Sequence, residues 1–126
     1  MVLVLALSTG LSSLPAEARD LFDATPDIGV VRASALPPEG REVLAAIHAG
    51  GPFVSPRDGI AFGNREGVLP RQKRGYYAEY TVPTPGARTR GARRIIAGRG
   101  IAGDFRTSNE YYYTNDHYQS FRRIAP

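Results

Sequence analysis

The chain has 126 residues, 42% hydrophobic and 22% charged, which suits one domain with a single modest core and excludes a disordered tail. Its formal charge is +4 with a pI near 9.8, and every basic residue except Lys73 is arginine, a balance that favours a polyanionic partner over an acidic protein surface. With no cysteine and only His48 and His117, the chain has no thiol nucleophile, disulfide framework or thiolate metal site, and it carries no P-loop, G-x-G-x-x-G or H-E-x-x-H motif.

The N-terminus, "MVLVLALSTGLSSLPAEARD", joins a short apolar run to small residues. Ala16 and Ala18 fit the A-x-A pattern of a secretory cleavage site, so residues 1–18 read as a signal segment and secretion is the expected destination. The run Val2–Leu7 is too short to span a bilayer. Residues 19–33 read as a linker and the start of a first strand, "IGVVRAS", and residues 34–126 as the folded domain.

"LPPEGREVLAAIHAGG" carries a helix signal: prolines at its start, Glu39 and Glu42 in the first turns, Val43, Leu44 and Ile47 at helical spacing, and Gly50-Gly51 as the stop. His48 falls in the last turn, where a cation suits the helix dipole. Five strand candidates follow: "DGIAFGN", "GYYAEYTVP", "ARRIIAG", "EYYYTND" and "YQSFRRI", separated by Gly, Pro, Asn and Asp. One N-terminal helix and several short strands predict an α+β domain, the helix packed on a small antiparallel β-sheet.

The chemistry-bearing residues lie in the β half. In "YYAEYTV" the strand period puts Tyr77, Glu79 and Thr81 on one face and Tyr76, Ala78, Tyr80 and Val82 on the other. A lone carboxylate among aromatics in a central strand is costly without a positive partner or a function. The run "PGARTRGARRIIAG" supplies partners. Arg90 and Arg94 are four residues apart and share a face of an extended segment, and Arg93 points the other way. His117, in "TNDHYQSF", falls in a turn between strands. Glu79, His117, Arg90 and Arg94 therefore make a set with one base, one acid and two cations for a phosphate.

The runs "SALPPEG", "DGIAFGNREGVLP", "GYYAEYTVPTPGARTRGARRIIAG" and "YYYTNDHYQSF" follow in order within the region 34–124. They resemble the secreted microbial guanyl-specific ribonucleases, most closely the ribonuclease Sa branch, with barnase a more distant relative. The resemblance implies Glu79 as general base, His117 as general acid, Arg90 and Arg94 as phosphate-binding residues, and Tyr118 beside the acid. It places the guanine-binding loop at Phe62–Glu66, where Glu66 accepts hydrogen bonds from guanine N1–H and the exocyclic amine. Backbone N–H groups of Asn64 and Arg65 donate to O6, and Phe62 and the Arg65 side chain lie against the base. Adenine, with an acceptor at N1 and an amine at C6, mispairs with that pattern.

Two positions depart from the family pattern. The relatives' disulfide between the first strand and the C-terminus is absent: its first position is Arg32, and no cysteine follows. Gly63 stands where relatives often carry a larger polar residue. The activity implied is cleavage of single-stranded RNA 3′ to guanosine by transesterification through a 2′,3′-cyclic phosphate and then hydrolysis, without metal or other cofactor. A non-catalytic RNA-binding module, or an antibacterial ribonuclease toxin domain, are the alternatives. A basic cleft also suits an acidic protein inhibitor of the barstar type, and a monomer without membrane attachment is the expected state.

Overall fold

The helix signal becomes α1, Pro38–Ala49, in a computed structural model that describes residues 28–126. The expected leader and most of the linker lie outside the described residues. Pro38 opens α1 and Glu39 lies in its first turn. Gly50 closes it in the left-handed region at φ +83°, where its N–H and that of Gly51 reach back to the carbonyls of Ile47 and Ala46. Gly40, Val43, Leu44 and Ile47 form its buried stripe. His48, in the last turn, donates its Nδ1–H to the Arg106 carbonyl at 3.0 Å and meets the Tyr111 ring edge-on, a structural placement.

Six strands make one sheet: β1 (Gly29–Arg32), β2 (Ile60–Ala61), β3 (Tyr77–Thr81), β4 (Arg94–Gly98), β5 (Tyr111–Thr114) and β6 (Arg122–Ala125). Their spatial order is β1-β6-β5-β4-β3-β2. All neighbours are antiparallel except β1 and β6, which run parallel in the register Gly29↔Arg122 to Arg32↔Ala125. The small antiparallel sheet expected from sequence is present, with this one parallel pair at its edge. Nearly the whole domain separates β1 from its neighbour, so no hairpin dictates their relative direction.

That parallel ladder joins the first strand to the last where the family resemblance implies a disulfide. Arg32 pairs with Ala125, and Val31, opposite Ile124, packs with it against the helix-side core. Removing a native disulfide typically costs about 2–5 kcal/mol. Here main-chain pairing and apolar packing make the same connection.

Strand alternation divides the sheet into two faces. Ala78, Tyr80, Val82, Ile95, Ala97 and Ile124 face α1 and pack on Leu36, Val43, Leu44 and Ile47. Tyr77, Ile96, Tyr112 and Phe121 form a second cluster with Leu69 on the opposite face. Tyr76 joins this second cluster instead of the Ala78 face to which the sequence period assigned it. It lies before β3, in a turn where its N–H donates to the Lys73 carbonyl and Gly75 has φ +88°, so strand alternation does not reach it.

Ile47, 1% exposed, is the deepest helix residue over the sheet. Ile47→Ala is expected to destabilise the fold by about 2–5 kcal/mol through lost burial and a residual cavity. Urea unfolding should show a lower midpoint at an unchanged m-value; an unshifted midpoint would contradict the helix-on-sheet core.

Candidate active site

Glu79 sits in the centre of β3 with the whole residue 9% exposed, opposite Ile60 on β2 and Ile96 on β4. A carboxylate so placed must be paired or hydrogen-bonded to remain charged. Arg90 donates from its NH2 to Glu79 Oε1 at 3.2 Å, and the Tyr118 hydroxyl donates to Oε2 at 3.1 Å. Both carboxylate oxygens are therefore engaged by groups from other parts of the chain.

The arginine run divides by role. Arg90 lies in the loop before β4 and not in an extended strand, so the expected spacing argument does not place it; side-chain hydrogen bonds do. Its Nε and NH2 both donate to Thr81 Oγ1, at 3.1 and 2.8 Å, which turns one edge of the guanidinium inward and leaves the side chain 29% exposed. Arg94 begins β4 and is 2% exposed. Its NH1 donates to the carbonyls of Gly91 (3.1 Å) and Arg93 (2.7 Å), and its Nε is buried without a hydrogen-bond partner among the described residues. The Tyr118 ring lies 6.0 Å from its guanidinium carbon. Arg93 turns to the helix side and pairs with Glu39 at 3.7 Å, as the alternation predicts.

Gly91 makes the bend between these arginines possible. It has φ +69°, and a Cβ there would lie 2.7 Å from Thr84 Oγ1. Only glycine meets both conditions without displacing the loop.

His117 and Tyr118 occupy the β5–β6 connection with φ of +58° and +75°. Two consecutive non-glycine residues in the left-handed region are strained, and the strain must be held by surrounding bonds. Asp116 supplies several: Oδ1 accepts from the Thr114 hydroxyl (2.8 Å) and the Ser120 N–H (2.9 Å), and Oδ2 accepts from the Ser120 hydroxyl. The Ser120 hydroxyl, followed by backbone donors and Thr114, holds the Asp116 carboxyl below the usual carboxylate range despite slight desolvation. Thr114 Oγ1 also accepts from the Tyr118 N–H, and the His117 N–H donates to the Ala92 carbonyl at 3.0 Å. The exposed His117 ring packs 4.7 Å from the Tyr118 ring, whose hydroxyl reaches Glu79. Burial first, and the Glu79 charge second, raise the Tyr118 phenol above its ordinary pKa, so it acts as a donor.

The loop Phe62–Glu66 lies beyond β2. Phe62 donates its N–H to the Tyr77 carbonyl at 2.9 Å and packs on the Tyr118 and Phe121 rings at 4.9 and 6.0 Å. Asn64, at φ +51°, clamps the loop: its Nδ2 donates to the Leu69 carbonyl, and its Oδ1 accepts the Leu69 N–H. Arg65 and Glu66 are exposed. A groove of about 510 Å³, lined by Phe62, Gly63, Asn64, Arg65 and Tyr77 together with residues 72–75, opens beside this loop. Tyr118 connects the expected sets, touching Phe62 on one side and Glu79, Arg94 and His117 on the other.

Two functional neighbours were not assigned roles from sequence. Thr81 was placed on the Glu79 face by alternation, and its hydroxyl carries the Arg90 fork. Asp58 opens the strand candidate "DGIAFGN", yet its Oδ1 accepts the Thr81 N–H at 2.7 Å and its Oδ2 accepts the Ser55 N–H at 3.1 Å. No group of three or more His, Cys, Asp or Glu residues suited to a metal ion occurs among the described residues. The arrangement offers a carboxylate, an imidazole, a half-buried guanidinium and a buried guanidinium around one end of a sheet, which together can move protons and stabilise an anion.

Comparison with known proteins gives the family. The ribonuclease family model matches residues 23–125, reaching upstream across β1. The guanyl-specific ribonuclease Sa of Kitasatospora aureofaciens is 54% identical over 96 residues, covering 76% of this chain and 93% of that protein. The guanyl-specific ribonuclease St of Saccharopolyspora erythraea is 50% identical over 92 residues, covering 73% of this chain and 83% of that protein. Among solved structures, ribonuclease Sa2 in complexes with mononucleotides aligns with a TM-score of 0.71 at 40% identity, covering 80% of this chain and 97% of that one. A second Sa2 structure, with guanosine-2′-cyclophosphate, gives 0.69 at 40% identity, covering 79% of this chain and 98% of that one. Agreement in sequence and fold over nearly all the described residues establishes that the chain belongs to the ribonuclease family.

Proposed function

We infer that the chain is a guanyl-specific endoribonuclease, cutting single-stranded RNA 3′ to guanosine by metal-independent transesterification through a 2′,3′-cyclic phosphate and then hydrolysis. The observation that carries the chemistry is the buried Glu79 carboxylate, held between the Arg90 guanidinium and the Tyr118 hydroxyl in a chain of guanyl-specific relatives. Glu79 takes the proton of the guanosine 2′-hydroxyl, and the freed oxygen attacks the adjacent phosphorus. His117 protonates the departing 5′-oxygen. In the second step the roles exchange, His117 drawing the proton from water and Glu79 returning one to the 2′-oxygen.

Arg90 presents its exposed edge to the phosphoryl oxygens, and Arg94 adds a fixed charge from beneath the Tyr118 ring. Charge that develops on those oxygens meets cations already in place, so little reorganisation is needed at the moment of reaction. Thr81 is a positioning residue: it fixes the Arg90 fork, and Asp58 fixes the Thr81 backbone. Guanine occupies the groove beside Phe62–Glu66, with Glu66 on its N1–H and amine edge, the backbone of Asn64 and Arg65 at O6, and Phe62 against the ring.

The wider setting belongs to the same proposal. The leader-like residues 1–18 support secretion, and the basic cleft suits an acidic inhibitor of the barstar type bound to a monomer.

Glu79→Gln and His117→Gln are each expected to lower kcat on GpC by about 10²–10⁴-fold while leaving the melting curve of a folded protein. The pH profile of kcat/KM should be bell-shaped and EDTA without effect. Near-normal transesterification in either variant, or loss of activity with chelator, would overturn the mechanism.

Glu66→Gln tests base recognition. A hydrogen bond to a charged group contributes about 1.5–3 kcal/mol, so the preference for GpC over ApC should fall by about 10- to 150-fold. An unchanged ratio would remove Glu66 from recognition even if both rates dropped.

Thr81→Val keeps the side-chain shape and removes the acceptor of two Arg90 bonds. It should lower kcat by about 10–100-fold, the scale of charged hydrogen bonds, with little change in KM, and Thr81→Ser should restore most of the loss. Equal activity of the valine and serine variants would show that the hydroxyl does not position Arg90.

A further inference from the structure

A second groove, of about 470 Å³, opens on the catalytic side of the molecule between Tyr76, Tyr112 and Arg123 and the loop that joins β4 to β5. Its floor is built from fixed groups. The Glu110 carboxylate accepts the Tyr76 hydroxyl on Oε1 at 2.6 Å and the Tyr112 hydroxyl on Oε2 at 2.8 Å, and the Gly100 N–H donates to the Tyr76 oxygen at 3.3 Å. Gly98 leaves the room this needs, since a Cβ there would come within 2.6 Å of the Glu110 carboxyl carbon. The outer loop is held by Arg99, which donates to the Gly75 carbonyl at 2.9 Å and lies 4.7 Å over the Phe105 ring.

Strand register relates this groove to the reaction. On the catalytic face three successive rows cross the sheet. Thr81 and Arg94 pair in the first, Glu79 and Ile96 in the second, and Tyr77 and Gly98 in the third; Gly98 donates its N–H to the Glu110 carbonyl. Under the function proposed above, the scissile phosphate lies at the Arg90 guanidinium, which bridges the first and second rows from Thr81 to Glu79. The 3′ and 5′ ends of a ribose point in opposite directions, and one nucleotide's backbone repeat matches one row of about 7 Å, so the phosphate on the 5′ side of the same guanosine falls between the second and third rows. Arg123 stands in the second row, joined to Ile96 through Tyr112, and the groove runs from there past the third row to the Tyr76–Tyr77 pair that separates it from the guanine groove.

We propose that this groove is a subsite for the ribonucleotide immediately 5′ to the guanosine. Arg123, which alternates with the core residue Ile124 and so lies on the catalytic side, is the cation for the upstream phosphate. The base turns its N–H edge to the free lone pairs of Glu110 and to Asn109, and the phenol rings of Tyr76 and Tyr112 supply apolar and stacking surface. Glu110 keeps the phosphate on the Arg123 side by repulsion. The proposal rests on the 3′-guanosine reading for the direction of the RNA, and its test separates the two.

The measurement is binding of two uncleavable ligands carrying 2′-deoxyguanosine, dGpC and ApdGpC, at low salt, to the whole chain and to its Arg123→Ala and Asn109→Gly variants. Arg123 is exposed, and glycine at Asn109 tolerates its φ of +58°. The upstream adenosine should tighten binding by about 10-fold, the lower end of one charged hydrogen bond. Arg123→Ala should erase most of that gain, and Asn109→Gly part of it, with dGpC binding unchanged. The same pattern should appear in kcat/KM for ApGpC against GpC. Equal affinity for the two ligands, or a gain that survives in both variants, would overturn the subsite. Failure to cleave GpC would overturn the reaction instead, while the binding comparison would still decide the groove.

Discussion

The Glu79 carboxylate, fixed in the middle strand of the sheet and almost out of solvent, is the constraint around which this site is built. An isolated buried carboxylate would protonate or destabilise the fold. The chain pairs it by folding the Arg90 loop over the end of β3 and the β5–β6 turn onto its other oxygen. Each of these partners needs support of its own: Arg90 takes it from Thr81, Thr81 from Asp58, and Tyr118 from Thr114 and Asp116. A carboxylate at this position thus fixes the cation and the phenol beside it. Breaking such a pair by removing one partner costs about 3–5 kcal/mol when the pair is buried, and the 29% exposure of Arg90 moderates that here.

The fold was legible because its signals are local. The helix boundaries follow from Pro38 and Gly50 and the stripe Val43, Leu44, Ile47, and the strands follow from period-two runs between turn residues. Ile95 and Ile96 part to opposite cores as alternation requires. Non-local partnerships were not legible. No hairpin links β1 to β6, so their parallel pairing left no mark in either segment. Tyr76 looked like one more strand residue until the turn at Gly75 broke the period.

The site divides in the same way. Residue types and family resemblance marked Glu79, His117, Arg90, Arg94 and the Phe62–Glu66 loop, while the hydrogen bonds that orient them depend on tertiary packing. Arg90 reaches Glu79 from a bent loop, so its four-residue spacing from Arg94 pointed to the right residue through geometry that does not occur. Thr81 could have been found by asking what else shares the Glu79 face, since strand neighbours two residues apart lie side by side. Asp58 offered no comparable signal: its bond to the Thr81 N–H joins segments 23 residues apart.

The β5–β6 turn shows how strain is kept at the reacting end. Left-handed residues other than glycine cost about 1–3 kcal/mol each, and His117 and Tyr118 are adjacent. The offset comes largely from Asp116, whose carboxyl is favoured in its charged form by the Ser120 and Thr114 bonds. Because the folded pKa lies below the unfolded one, this clamp is fully present above the ordinary carboxylate range. It is lost only as pH falls through the depressed value. The turn that carries His117 therefore keeps this clamp down to the depressed Asp116 value.

Holding the first strand to the last by backbone pairing also changes what the fold asks of its surroundings. A disulfide at that place makes stability conditional on an oxidising compartment. The ladder from Gly29↔Arg122 to Arg32↔Ala125, with Val31 and Ile124 packed beneath it, works at any redox potential. The parallel pair is covered by apolar contact on the helix side, while the opposite side of β6 carries Arg123 into the second groove, with the buried Phe121 just before the strand. The terminal strand thus serves both faces of the sheet. Its Ile124 closes the helix-side core, and its neighbour Arg123 extends the surface on which RNA would lie.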